Sequence, residues 1–504
     1  AGGALDISKI KTVKNDHCKF YYNYAKHGGV INIMNSQFLS NIYCLFVRNT
    51  GFYGGTINSK GSEMIINSNV LFKNNSAFEG GSLFVGTTSI LRNLNSSFVL
   101  NTAKFGGAIK CFSVWGLINN KTKFYHNNAL LGGAINVIHA NLTNIAVIMT
   151  GNTALQIKKS EVSHGLGGAL YVRYGNNIRN VNSLFMSNAA QHSGGAIHIS
   201  RSKSLFHRTC QNIFNRAYNS GGSIQVEKIR MIEISVSRFE SEFAGQTRGV
   251  ASVQEAVSFK SEYSEYLNNR ANKHHGSFFI SRCIRVILSH DRISNNSAPS
   301  GGIGEIKSGL FWAVFSNFTG NTASSLAIFT IYQNKISHFI NCIFLKNKGI
   351  NLSGGVLQLK QTKSIVIVKS SFLYNHVSQG TGVFTIYEII EVICINSSYI
   401  GNHNKKIFEG GMLTLDSVDY ANYTKVLFGN NTSYSNGGGV ALGNVNIFVV
   451  RESFFVGNNA YLSGGSVMCK LVNFIQIDQS AFLDSSGFEG GSICIENSYI
   501  LSLA

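Results

Sequence analysis

Apolar and polar residues alternate in short bursts along the whole chain. Leu5 and Ile7, Ile31 and Ile33, Leu83 and Val85, Ile109 and Cys111, Ile135 and Val137, Leu170 and Val172, Ile197 and Ile199, and Ile224 and Val226 each follow a glycine pair. A period of two marks a strand with one buried face. The bursts also recur at a fixed distance. Gly-Gly pairs begin at Gly2, Gly28, Gly54, Gly80, Gly106 and Gly132, 26 residues apart each time. They resume at Gly167, Gly194, Gly221, Gly301, Gly354, Gly410, Gly438, Gly464 and Gly490. Degenerate copies near Arg248-Gly249, His275-Gly276, Leu326-Ala327 and Thr381-Gly382 bring the total to nineteen registers. No 3.6-residue pattern persists, and Asn, Ser, Gly and β-branched residues dominate, which argues against helix.

A unit of about 26 residues holds roughly three short strands and three turns, too little for a core of its own, so it needs a neighbour on each side. The expected fold is all-β: a single-stranded right-handed parallel β-helix, or β-solenoid, of about nineteen coils, continuous over 1–504. The fullest copies read Phe-x-x-Asn-x-Ala-x-x-Gly-Gly-Ala-Ile, as at Phe98, Asn101, Ala103 and Gly106-Gly107-Ala108-Ile109. The glycine pair suits a corner with positive φ or closely approaching backbones. Phe20, Phe46, Phe72, Phe98 and Phe124 should stack on one another inside the coils. Asn23, Asn49, Asn75, Asn101, Asn127 and Asn152 should form an internal ladder whose amides satisfy turn backbone groups.

The pattern breaks in two places. Extra residues over about 155–165 predict a loop leaving a corner. Coils over about 244–285 lose the glycine pair and gain Glu255, Lys260, Glu262, Glu265, Arg270, Lys273 and His274-His275. That stretch reads as the least regular, either filler or a binding patch. No cap is recognisable within the chain, so the expectation is a piece of a longer protein, end-to-end stacking through open strand edges, or both.

Composition narrows the function. With 44% hydrophobic and 13% charged residues the chain is too apolar for disorder. No apolar run reaches the ~18 residues of a membrane helix, so membrane attachment would need segments absent here. The formal charge of +19 favours weak attraction to acidic surfaces such as anionic glycans. Nucleic acid is not expected, because no dense Lys/Arg run or binding motif appears. Polysaccharide-cleaving β-helices need clustered carboxylates, as an acid/base pair or calcium ligands. Here Asp416 and Asp419 are the only close pair among seven Asp, and they read as a solvated loop. His274-His275, with His290 and Asp291 further on, read as surface groups. No phosphate loop, nucleophile elbow or CxxC zinc motif is present. The sequence therefore nominates no catalytic, cofactor-binding or metal residue and predicts no enzyme and no cofactor.

Of nine Cys, Cys18 and Cys44 share one repeat position, within disulfide range if coils lie ~4.8 Å apart. Cys469 and Cys494, 25 residues apart, fall one position out of register. The others read as small core residues. Candidate N-glycosylation sites are Asn74, Asn95, Asn120, Asn141, Asn295, Asn317, Asn351, Asn396, Asn422 and Asn430, wherever the side chain faces outward. The further sequon at Asn431 falls on the ladder and should be blocked by burial.

The pairing of Phe-x-x-Asn with Gly-Gly-Ala-Ile, as at Phe98, Asn101 and Gly106 to Ile109, resembles the repeat of the polymorphic outer membrane proteins of chlamydiae. Similar repeats occur in large surface proteins of some protists, and the resemblance spans nearly the whole chain. It implies a surface-exposed β-helical passenger involved in adhesion, followed by a membrane β-barrel. This chain contains no C-terminal series of ten-residue amphipathic strands for such a barrel. The expectation is thus a non-enzymatic extracellular or cell-surface structural or adhesive rod, with a filament subunit stacking end to end through its open ends as one form of it. The alternatives are the passenger ectodomain of a larger membrane-anchored adhesin, and a polysaccharide-degrading enzyme with its cleft around Glu262 to His275.

Overall fold

The alternation of inward and outward side chains folds into coils that repeat the same cross-section. The computed structural model describes residues 2–156, 164–350, 355–405 and 411–503. Most of the expected loop at 155–165, and Asn351, lie outside them. In one coil the strands are Leu83–Gly86, Ile90–Leu94 and Ser97–Val99. Each pairs in parallel with its counterpart one repeat on, as Leu83 with Ile109, Ile90 with Gly116 and Phe98 with Phe124. The protein is a parallel β-helix, and the described residues include no helix.

Two compact units are present, Ala1–Val257 and Ser258–Ala504. The strand that carries the Phe position occurs nine times in the first, from Lys19–Tyr21 to Arg238–Glu240, and nine times in the second, from Glu265–Leu267 to Ala481–Leu483. That makes about eighteen turns rather than nineteen, because after Gly490 the described chain supplies only Ile493–Glu496 and Ile500–Leu503. The glycine triplet also sits one residue earlier than expected. Gly437 N–H bonds Ser463 O and Gly438 N–H bonds Gly464 O, so the corner pair is Gly437-Gly438. The stretch 244–285 keeps its strands, among them Ala251–Glu262 and Phe278–Ser289, with Arg248-Gly249 and His275-Gly276 at the glycine corner.

Each coil turns through residues with left-handed backbone, for example Thr87 (φ 49°), Asn95 (48°), Leu100 (55°) and Gly106 (67°). Ordinary residues tolerate three of these corners. Their N–H groups bond the next coil, Thr87 to Phe112 O, Asn95 to Asn120 O and Leu100 to Tyr125 O, and this offsets the local strain. The fourth corner differs. A Cβ on Gly106 would lie 2.1 Å from Ile109 O, and one on Gly107 2.1 Å from Gly133 O. Arg248 and His275 occupy the first of these positions at φ 69° and 62°, a strained exception in each case.

Inside, Phe20, Phe46, Phe72, Phe98 and Phe124 stack with centroids 4.6–5.0 Å apart and planes within 5–7°. The Asn side chains run beside them. Asn23 donates to Asn49, Asn49 to Asn75, Asn75 to Asn101, Asn101 to Asn127 and Asn127 to Asn152, at 2.9–3.1 Å. In the first unit the ladder continues through Asn188 and Asn215 to Glu242, and in the second it runs from Asn269 to Asn458. A second buried ladder, Asn15, Asn41, Asn67, Asn93, Asn119, Asn144 and Asn180, lies on the preceding strand. Its first five members are 26 residues apart, a signal hidden by reading that strand for apolar residues alone.

The nine cysteines are free thiols in this structure, including Cys18 and Cys44, whose shared repeat position puts them within disulfide range. Both occupy the position filled by Ser96 and Ser183 in other coils. Like those hydroxyls they donate to main-chain carbonyls, Cys18 Sγ to Asp16 O and Cys44 Sγ to Ile42 O. The same position holds Cys210 and Cys342. Met468 pairs with Cys494 and Cys469 with Ile495, so the last two thiols are out of register. Unreduced protein in denaturant should titrate nine thiols. Native protein should react at half-buried Cys18 and Cys494 well before the rest. A titre of seven would mean that one disulfide forms.

Candidate functional site

In the first unit, from Asn58 to Gln225, the middle residue of the first strand of each coil ought to face solvent, yet it is covered. In register these positions are Asn58, Phe84, Lys110, Asn136, Tyr171, His198 and Gln225. None is more than 7% exposed. The cause is the glycine corner, which folds the residue before it back over the strand. Tyr53 leans over Phe84 (5.2 Å between centroids), and Lys110 Nζ sits 5.7 Å from the Phe105 ring. The result is a groove along the first unit. Its floor is this row, one wall is Tyr53, Glu79, Phe105, Leu131, Leu166 and Ser193, and the other is Lys60, Phe112, Ile138 and Arg173.

Two cavities of about 470 and 340 Å³ occupy the groove and share Tyr171 and Arg173. The larger is aromatic and basic. Lys60 Nζ lies 5.7 Å from Tyr53 and 5.9 Å from Phe84, and Lys104 Nζ lies 5.6 Å from the lining ring of Phe105 and 5.2 Å from Phe78. Lys110 is 5% exposed and donates to Asn136 Oδ1 at 2.8 Å. Burial brings its ammonium down to about 8, partly opposed by the Glu79 carboxylate. The smaller cavity is lined by His192, His198, Arg173, Arg201, Glu227 and Lys228. Burial lowers His198 to about 3, so its imidazole is neutral at ordinary pH. Arg201 and Arg173 both donate to the Tyr174 hydroxyl, at 2.8 and 3.3 Å. A row of cations and aromatic faces in a concave channel is suited to a linear anionic ligand with apolar faces.

The second unit repeats the arrangement in less charged form. Gln358, Thr385, Thr414, Ala441 and Met468 floor a cavity of about 480 Å³, with Tyr387, Asp416 and Lys470 on its wall. Asp419 faces a different cavity, so the Asp416/Asp419 pair is not brought together. His274 and His290 are exposed, but His275 and Asp291 are buried, which corrects their reading as surface groups. His275 Nε2 lies 3.3 Å from Glu305. Among the described residues one group, Glu489, Cys494 and Glu496, has ligand atoms within 4.8 Å of one another. The groove itself went unread in the sequence. Its floor residues share no chemical type, and only the corner geometry buries them.

The sequons divide by orientation. Asn95, Asn295, Asn317, Asn396 and Asn430 are exposed, Asn74, Asn120, Asn141 and Asn422 are half-buried, and Asn431 is buried in the ladder. Among the described residues no helix is long and apolar enough to cross a membrane.

No family model and no curated protein matches the chain. A solved structure, an arginine-to-alanine mutant of the PL6-family alginate lyase AlyGC, is similar at 10% identity, covering 100% of this chain and 98% of its own, with a TM-score of 0.21. That match is to an enzyme, and it corrects the expectation that this chain is not one. At that TM-score it carries no argument about reaction, substrate or site.

Proposed function

We propose that the protein is an extracellular or cell-surface binding protein that holds an extended acidic polysaccharide along the groove of its first unit. The observation that carries this reading is the row of Lys60, Lys104, Lys110, Arg173 and Arg201 interleaved with Tyr53, Phe84, Phe105 and Tyr171. Adjacent coils are ~4.8 Å apart, so a linear polymer in the channel meets a new set of side chains at each step. The cations attract the acid groups, and the rings offer apolar faces to the sugars. The net charge of +19 supports the same partner class. Adhesion to an anionic glycan matrix is the role this binding would serve.

The test is calorimetric titration with an oligouronate and with a neutral oligosaccharide of equal length. Wild type should bind the acidic ligand with strong salt dependence and bind the neutral one weakly. Replacing Lys60, Lys104 and Arg173 together by Gln should weaken oligouronate binding by roughly 1–3 kcal/mol without lowering thermal stability. Equal affinity for the two ligands, or no loss in the triple variant, would rule the reading out.

A further inference from the structure

His198 is the one floor residue of the smaller cavity that the protein leaves unsatisfied. Its neighbours in the row are engaged. The Gln225 amide accepts from Ser220 Oγ at 3.0 Å and donates to Glu227 at 3.2 Å. On the other side, the Tyr171 ring stacks on the His198 imidazole with centroids 5.4 Å apart and planes within 8°. His198 itself is 4% exposed, and its Nδ1 has no hydrogen-bond partner. A buried nitrogen without a partner is costly and calls for a reason. Around it stand Arg173, Arg201 and Lys228, with Glu227 as the carboxylate among them. His192 is already bound to Ser193 Oγ at 2.8 Å and lies 3.4 Å from Asn219. Arg173 and Arg201 meet on a neutral acceptor, the Tyr174 hydroxyl. Lys228 has a carboxylate partner in Glu255, at 3.7 Å.

We infer that this cavity is the subsite that reads a single acid group of the ligand: the oxyanion, a carboxylate or sulfate on one sugar, lies against Arg173 and Arg201, and the adjacent sugar hydroxyl bonds the His198 imidazole. This deepens the glycan-binding reading and rests on it for the polymer, but not for the subsite. Arginine pairs suit planar oxyanions because their donors are fixed in a fork. A neutral imidazole suits a hydroxyl because it offers one donor and one acceptor. The site therefore suits a sugar unit that carries both an acid group and a free hydroxyl within reach of it.

The probes are free galacturonate, a monosulfated hexose, galactose and an oligogalacturonate, added to 15N-labelled protein. The readouts are the His198 ring-nitrogen resonances and calorimetry. The expected result is that galacturonate or the sulfated hexose shifts the His198 signals while galactose does not, and the better of the two identifies the oxyanion. His198→Phe keeps the stacked ring, and it should lose about tenfold in oligogalacturonate affinity with thermal stability retained. Arg173→Gln should lose a similar factor and relax the preference over galactose. If the oligomer binds wild type but His198→Phe binds equally and the ring signals do not move, the subsite is overturned and the groove stands. If the acidic monosaccharides shift His198 but the oligomer binds no better than they do, the groove reading fails and the subsite stands. No response to any probe overturns both.

Discussion

Replacing Asn101 by leucine should cost roughly 3–5 kcal/mol and open the first unit locally around that coil. The side chain is fully buried and makes four bonds. Its Nδ2 donates to Phe72 O and to Asn127 Oδ1, and its Oδ1 accepts from Asn75 N and Asn75 Nδ2, all at 3.0–3.1 Å. Leucine matches the volume and none of the bonds, which leaves Asn75 N–H and Phe72 O each without the side-chain partner it had, at about 1–3 kcal/mol apiece. Coils contact only their neighbours, so the loss should appear first as hydrogen exchange near Asn75 and Asn101 and only then in global unfolding. Unchanged protection at those amides would show that the ladder contributes little.

Replacing Asp291 by serine should stabilise the protein by roughly 4 kcal/mol at pH 8 and by little at pH 4. Asp291 occupies a corner position held by Ser264 one coil before and Ser316 one coil after. Its Oδ1 accepts from Ser264 N at 2.8 Å, and the residue is 1% exposed. Burial pushes its carboxyl up to about 7, against the opposing pull of Ser264 N–H and Ser261. A raised acid binds its proton more tightly in the folded state. Asp291's own contribution to stability is therefore fullest below about pH 4 and is lost as pH rises through about 7. Serine removes this slope. Denaturant midpoints across pH 4–8 measure it, and parallel curves for the two proteins would show that Asp291 does not govern the slope. Glu242, in the Asn ladder of the first unit, is pushed in the same direction, again by burial.

The sequence by itself determined the coil. Alternating apolar residues such as Leu83 and Val85 must share one face, and an offset of 26 residues puts like beside like. Parallel in-register stacking turns that spacing directly into contacts, so the Phe stack and Asn23-to-Asn152 ladder were legible from spacing alone. The same logic brought Cys18 beside Cys44, but proximity does not decide bonding when each thiol has a carbonyl to meet. What only the tertiary structure decided was the groove. Period two assigns Lys110 and His198 to solvent, and by alternation they should be exposed. Lys110 is buried because the Gly-Gly corner lays Phe105 over the strand that follows, as it lays Tyr53 against Phe84, and His198 is covered by the stacked Tyr171 ring. That is a property of corner angle rather than residue pattern. Neighbours in the groove come from coils 26 or 27 residues apart, and with no shared residue type no periodicity could announce them.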